Sequence, residues 1–114
     1  MESIDRCVLI VKPKQPYVDW ANSIPGDDGG PATLASLRDD SSAYLLPEYE
    51  MRDEEKELLT EFWAEIFETE LNNWYTDEAV WPKRRTLEIF LQWFDLEFHT
   101  SAVDLLDADV EKFE

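Results

Sequence analysis

A chain of 114 residues, 44% apolar and 13% aromatic, has room for one hydrophobic core and enough large side chains to fill it, because single cores take about 100–150 residues. One domain over 1–114 is predicted, and wholesale disorder is excluded. Ten Lys and Arg against 27 Asp and Glu leave a formal net charge of −17, which repels phosphate backbones and anionic head groups, so neither direct nucleic-acid binding nor membrane-surface binding is expected.

Residues 1–6 show no basic start, apolar stretch or small-residue cleavage pattern of a secretory signal. No run reaches the roughly 18–20 apolar residues of a membrane span, and a cytoplasmic protein is predicted. The run Cys7-Val8-Leu9-Ile10-Val11 is rich in β-branched residues, and Pro13 then removes a backbone donor. Residues 6–12 therefore read as a buried strand, central and covered on both faces or shielded by helices on at least one. Cys7 is the single cysteine; it has no disulfide or zinc partner and reads as a small buried hydrophobe with no catalytic role. Pro16 suits a first helical position, and Tyr17, Trp20, Ala21 and Ile24 follow at i, i+3, i+4 and i+7, predicting a helix that stops at Pro25-Gly26. Residues 27–31 form a loop by composition, the segment expected to move most. Thr33 is placed to cap a short second helix that turns Leu34 and Leu37 inward. A strand is predicted over 43–49, and Pro47 within it assigns it to a sheet edge.

From 53 to 74, Leu58, Leu59, Phe62, Trp63, Ile66, Phe67, Leu71 and Trp74 keep helical period. Asp53 is expected to cap this long helix. Glu54 and Glu57 lie in its first turn, where negative charge suits the helix dipole, and with Glu61, Glu65 and Glu68 they make an acidic, solvated face. A turn follows at 72–77, then one helical turn at 78–81. Pro82 is predicted to open a fourth helix with Leu87, Phe90, Leu91 and Phe94 on its inner face and Ile89 and Trp93 flanking. Leu96, Phe98 and Thr100 alternate with Glu97, His99 and Ser101, giving a last strand whose pattern slips at Ala102-Val103 as a bulge would. Residues 107–114 read as a surface tail. The predicted class is α+β: a small three-stranded sheet packed against four helices in the order β-α-α-β-α-α-β, with parallel pairing of the first two strands permitted but not required.

Chemistry is hard to find. Gly26, Gly29 and Gly30 fit no nucleotide-binding loop, and no Gly-x-Ser-x-Gly elbow is present, so no catalytic residue and no cofactor is predicted. Asp27-Asp28-Gly29 matches only a fragment of a calcium loop. His99, the sole histidine, shares a strand face with Glu97 and Ser101; a metal site there would need a third ligand beyond Glu97 or Asp104, which the spacing does not supply. Lys83, Arg84 and Arg85 at the start of a helix oppose its dipole. They either pair with the acidic face of the long helix or form an anion clamp with Trp81 as an aromatic wall. Five tryptophans exceed what a small core needs: Trp20 and Trp63 read as core, while Trp81 and Trp93 are candidates for a dimer or partner contact.

The stretch 6–13, the segment Pro47-Glu48-Tyr49-Glu50, and the strings Trp81-Pro82, Trp93-Phe94 and Glu97-Phe98-His99 resemble a family of small uncharacterised bacterial proteins over nearly the whole chain. The resemblance implies a bacterial, cytoplasmic, stand-alone protein and carries no activity, cofactor or catalytic residue with it. Acidity, surplus aromatics and the lack of a catalytic motif together favour a non-enzymatic protein-interaction module, with a basic protein partner or self-association through the last helix. The alternatives are an acidic nucleic-acid mimic that binds a DNA-binding protein, and a small-molecule binder or enzyme with a pocket near Trp81, Arg85 and His99.

Overall fold

In a computed structural model, which describes residues 2, 3, 5–24 and 31–106, the chain runs β1 (Glu2–Ser3), β2 (Arg6–Pro13), α1 (Gln15–Ser23), α2 (Leu34–Asp39), β3 (Ser42–Pro47), α3 (Glu54–Trp74), a 3-10 turn (Glu78–Val80), α4 (Leu87–Trp93), β4 (Phe94–His99) and β5 (Val103–Asp104). The class is α+β, with a three-stranded sheet in the order β3-β2-β4 and four helices. Most of the loop expected to be mobile, and the tail expected at 107–114, lie outside the described residues. No helix among the described residues is long and apolar enough to cross a membrane.

β2 is the central strand, and both of its neighbours run antiparallel to it. Its pleat sends Cys7, Leu9, Val11 and Pro13 into the core and leaves Val8, Ile10 and Lys12 half-buried on the other side, so helices shield one face only. Register explains the antiparallel pairing with β3. Ser42 stands opposite Val11, so α1 and α2 fold back over the end of β2 where they began instead of crossing the sheet. β4 starts at that same end, with Phe94 opposite Pro13. β3 lies at the edge, where Pro47, paired with Arg6, interrupts no interior ladder.

α3 then runs the length of the sheet. Its 21 residues span roughly 32 Å at about 1.5 Å each, which brings its C-terminal turns back to the end where β2 stops and β3 and β4 begin. Leu58, Ile66, Phe67 and Leu71 are buried from it, with Phe90 from α4 and Phe94 from β4. Phe67 is the hub: its ring lies 5.7 Å from Phe90, 5.6 Å from Phe94 and 5.5 Å from Trp93. Such tilted and edge-on pairs add to the stabilisation that burial gives.

Several local expectations are corrected. Asp53 makes no side-chain cap because its own backbone is already helical (φ −68°, ψ −20°), and a capping residue needs an extended one. Backbone carbonyls take the first donors instead, Met51 accepting the Glu54 N–H at 3.0 Å and Arg52 the Glu55 N–H at 3.1 Å, while Glu54 Oε2 accepts the Glu50 and Met51 N–H groups of the preceding turn at 2.8 and 2.9 Å. The fourth helix starts at Leu87, not at Pro82, with the Thr86 hydroxyl accepting the Ile89 N–H at 3.1 Å. Lys83, Arg84 and Arg85 therefore lie ahead of the cap, outside the first turn where they would oppose the dipole. Leu34 is exposed, since side chains at a helix start lean toward the N-terminus and here past the core. Leu91 is 43% exposed, one position round the helix from buried Phe90. The last stretch is two strands: β4 ends at His99, and β5 pairs with β1 in a separate antiparallel ladder.

Candidate functional site

Helical period places Glu70 four residues after Ile66 and three after Phe67, on the buried face of α3. It is 6% exposed, the one charged residue among the buried side chains described. A buried carboxyl must be hydrogen-bonded, and β3 supplies the donors. The Tyr44 hydroxyl donates to Glu70 Oε2; Tyr44, opposite Leu9, and Ser42, opposite Val11, both project to the core side of the sheet. Burial pushes the Glu70 carboxyl above its ordinary value, while hydrogen bonds from Tyr44 and Ser42 offset part of that rise. The same neighbourhood drives both tyrosine hydroxyls up: burial first and then the Glu70 charge act on Tyr17 and on Tyr44. Tyr17 completes the cluster from α1, its hydroxyl donating to the Glu70 backbone carbonyl at 2.7 Å.

Beside this cluster, at the end of the sheet where β2, α1, α2, β3 and α3 meet, is a cleft of about 330 Å³. Its polar lining comes from Asp40, Ser41, Ser42, Glu70 and Asn73, and its apolar walls from Pro13, Tyr17, Leu37 and Trp74. No lysine, arginine or histidine lines it among the described residues. The walls are held in place. Trp74 Nε1 donates to the Ala21 carbonyl at 3.2 Å, and the Ser41 hydroxyl donates to the Arg38 carbonyl at 2.9 Å. A second cleft of about 200 Å³ lies on the other side of Tyr44, against Phe62, Glu65 and Ile66. A carboxyl of raised proton affinity in a concave site marks a candidate functional position. The sole histidine is on the opposite face of the sheet, so the ionisable groups of the cleft are its carboxyls and the Tyr17 hydroxyl. The arrangement can exchange a proton or balance a cation.

No protein-family model, no curated protein and no solved structure matches this chain. The reading of the site therefore rests on its geometry.

The residues singled out in the sequence are dispersed. Trp81 is 7% exposed and belongs to the core cluster, its Nε1 donating to the Tyr75 carbonyl at 2.7 Å, so most of its ring lies inside the fold. Trp93 is half-buried against Phe67. Trp20 and Trp63 are half-buried rather than enclosed, and Trp20 Nε1 is tied to the Val80 carbonyl at 2.9 Å. Part of the tryptophan surplus is thus structural, holding irregular connections to the core. Arg85 sits 5.8 Å from the Trp81 ring centre and 3.5 Å from Glu68; Lys83 and Arg84 are exposed and make no ion pair among the described residues. His99 lies opposite Val8, on the outer face of the sheet, with Nε2 2.9 Å from Glu97 Oε1. The pleat thus separates His99 from Trp81 and Arg85, and neither cleft contains any of the three.

Glu97 is held below the usual carboxylate range by Lys12, 2.9 Å away, and then by His99. Among the described residues no three His, Cys, Asp or Glu side chains gather to hold a metal ion. Cys7 is buried and burial pushes its thiol up, away from the thiolate that reacts. Glu70 is the residue that counting carboxylates by acidity overlooks. Its signal is positional, since the spacing that turns Ile66 and Phe67 inward turns residue 70 inward as well.

Proposed function

We propose that this chain is a non-enzymatic interaction module that takes a basic protein partner on the outer face of α3. The supporting observation is the row Glu57, Glu61 and Glu65. These side chains are exposed at four-residue intervals on one helical stripe, and none of them is in an ion pair among the described residues, whereas Glu68 at the end of the row is held by Arg85. With ten basic side chains against 27 acidic ones, internal pairing cannot neutralise the surface. A complementary basic partner gains association rate and specificity from such a stripe.

The test compares capture of interacting proteins at low salt by the wild-type chain, by a Glu57→Gln/Glu61→Gln/Glu65→Gln variant, and by a control carrying the same charge change at exposed Asp39, Glu48 and Asp77. A partner held by wild type and control but lost from the α3 variant supports the reading. Equal retention by all three, or a monomer by light scattering that recovers no partner, contradicts it. A recovered DNA-binding protein that duplex DNA displaces identifies the nucleic-acid mimic as the form the module takes. A dimer that a Leu91→Glu change dissolves would replace the basic partner with self-association through α4.

A further inference from the structure

Glu70 lines a cleft that contains a second carboxylate, neutral hydrogen-bonding groups and aromatic walls, with no lysine, arginine or histidine among its described lining residues; the Arg38 guanidinium, bonded to the Pro13 carbonyl at 3.1 Å, is already paired with Asp95. A carboxylate offers about four acceptor sites, and the Tyr44 hydroxyl uses one of them, on Oε2. What remains is acceptor capacity on a residue that lines a concave site. We propose that this cleft binds a small primary ammonium group, its charge held between Glu70 and Asp40 and its hydrocarbon laid against Trp74, Tyr17 and Leu37.

Each part of that ligand is specified by a feature of the cleft. An ammonium is a compact charge with three rotatable donors, which suits one partly occupied carboxylate with Ser42 and Asp40 nearby. A guanidinium needs a carboxylate edge with both oxygens open to its fork, and Tyr44 already holds one oxygen of Glu70. A calcium ion takes an all-oxygen shell of six to eight ligands and has no use for the walls of Pro13, Tyr17, Leu37 and Trp74. The hydrocarbon is called for by Trp74 and Tyr17, aromatic rings that attract a cation to their faces and cover an alkyl chain at their edges. Both rings are pinned by hydrogen bonds, so little ordering cost remains for the ligand to meet. The cleft, at about 330 Å³, is at the small end of ligand sites, which run from about 300 Å³.

The shared chemistry has two sources, a free alkylamine or a lysine side chain presented by another protein. The site shares no residue with the Glu57, Glu61 and Glu65 stripe, so it stands or falls separately from the function proposed above. The titratable groups in contact with Glu70 are Tyr17 from α1 and Tyr44 from β3, and Asp40 from the turn after α2 lines the same cleft.

The experiment titrates n-butylammonium into the full, isotope-labelled chain and follows amide and indole shifts, with 1-butanol as the uncharged isostere. Shifts centred on Ser41, Ser42, Asn73 and the Trp74 indole are expected, with affinity at least tenfold weaker for 1-butanol and for Glu70→Gln. Asn73 is exposed, so Asn73→Lys places a cation at the rim without disturbing the core; it is expected to lower affinity at least tenfold while the spectrum stays folded. The Glu57→Gln/Glu61→Gln/Glu65→Gln variant is expected to bind as wild type. A second arm uses lysine capped as its N-acetyl methylamide: tighter binding than n-butylammonium assigns the site to a presented lysine, and weaker binding assigns it to a free amine. Shifts spread over the acidic surface, equal affinity for 1-butanol, or undiminished binding by Asn73→Lys would overturn the proposal.

Discussion

Phe67 and Glu70 are three residues apart on the same buried face of α3, yet one is enclosed by rings and the other by hydroxyl groups. Around Phe67, contacts come from α4 and β4 and consist of apolar surface. Around Glu70 they come from α1 and β3 and consist of directed hydrogen bonds. The aromatic region can tolerate any packing of equal volume, whereas the polar one holds only if donor and acceptor stay matched. Stability is therefore concentrated toward α4, and chemical capacity toward the end of the sheet where β2 finishes.

The largest break in that comparison is Phe67→Ala. Loss of the hub ring is expected to cost about 3–5 kcal/mol, a large part of the roughly 5–15 kcal/mol that holds a domain together, and urea denaturation would show the midpoint collapse. Tyr44→Phe keeps the ring and removes only the donor to Glu70. The expected loss is about 1–3 kcal/mol, with the Glu70 carboxyl rising further once that bond no longer favours its charged form. Thr86→Ala removes the cap of α4, which carries Phe90 into the aromatic cluster, and is expected to cost about 0.5–2 kcal/mol in the same assay. Arg85→Met breaks a partly exposed ion pair with Glu68 at the margin of both regions; its effect is expected at about 0–1 kcal/mol and to vanish in high salt.

The polar region also carries a pH signature that the aromatic one lacks. Because burial raises the folded-state value of Glu70, its contribution to stability is full below the ordinary carboxylate range and is lost as pH rises through the folded value. Glu70→Gln cannot titrate. The stability difference between variant and wild type is expected to shift in favour of the variant as pH rises through that window, and denaturant midpoints at a series of pH values would show it. Phe67→Ala should run parallel to the wild type.

Much of the fold was legible from pattern alone. The β-branched run after Arg6 gave the central strand, Pro47 gave the edge, and eight apolar positions at helical period gave α3 nearly to the residue. Caps were less legible. Asp53 has the right side chain for one and the wrong backbone, while Thr86 was hidden behind a proline that is itself a good helix starter. The candidate site was least legible, because it depends on strand register. Nothing local says that Tyr44 stands where it can meet a helix residue 26 positions away, or that the pleat puts His99 on the far side of the sheet from Trp81. Glu70 itself was within reach of the helical period, but in a chain with 27 acidic residues one more glutamate draws notice only when its burial is known.

Carboxyl-carbon NMR titration of Glu70, with and without saturating n-butylammonium, is the most direct measurement. A midpoint above the ordinary carboxylate range in the free protein, falling when the ammonium occupies the cleft, is the expected result. A midpoint at or below that range in the free chain, or one that the ammonium leaves unmoved, would contradict a buried carboxyl waiting for a cation.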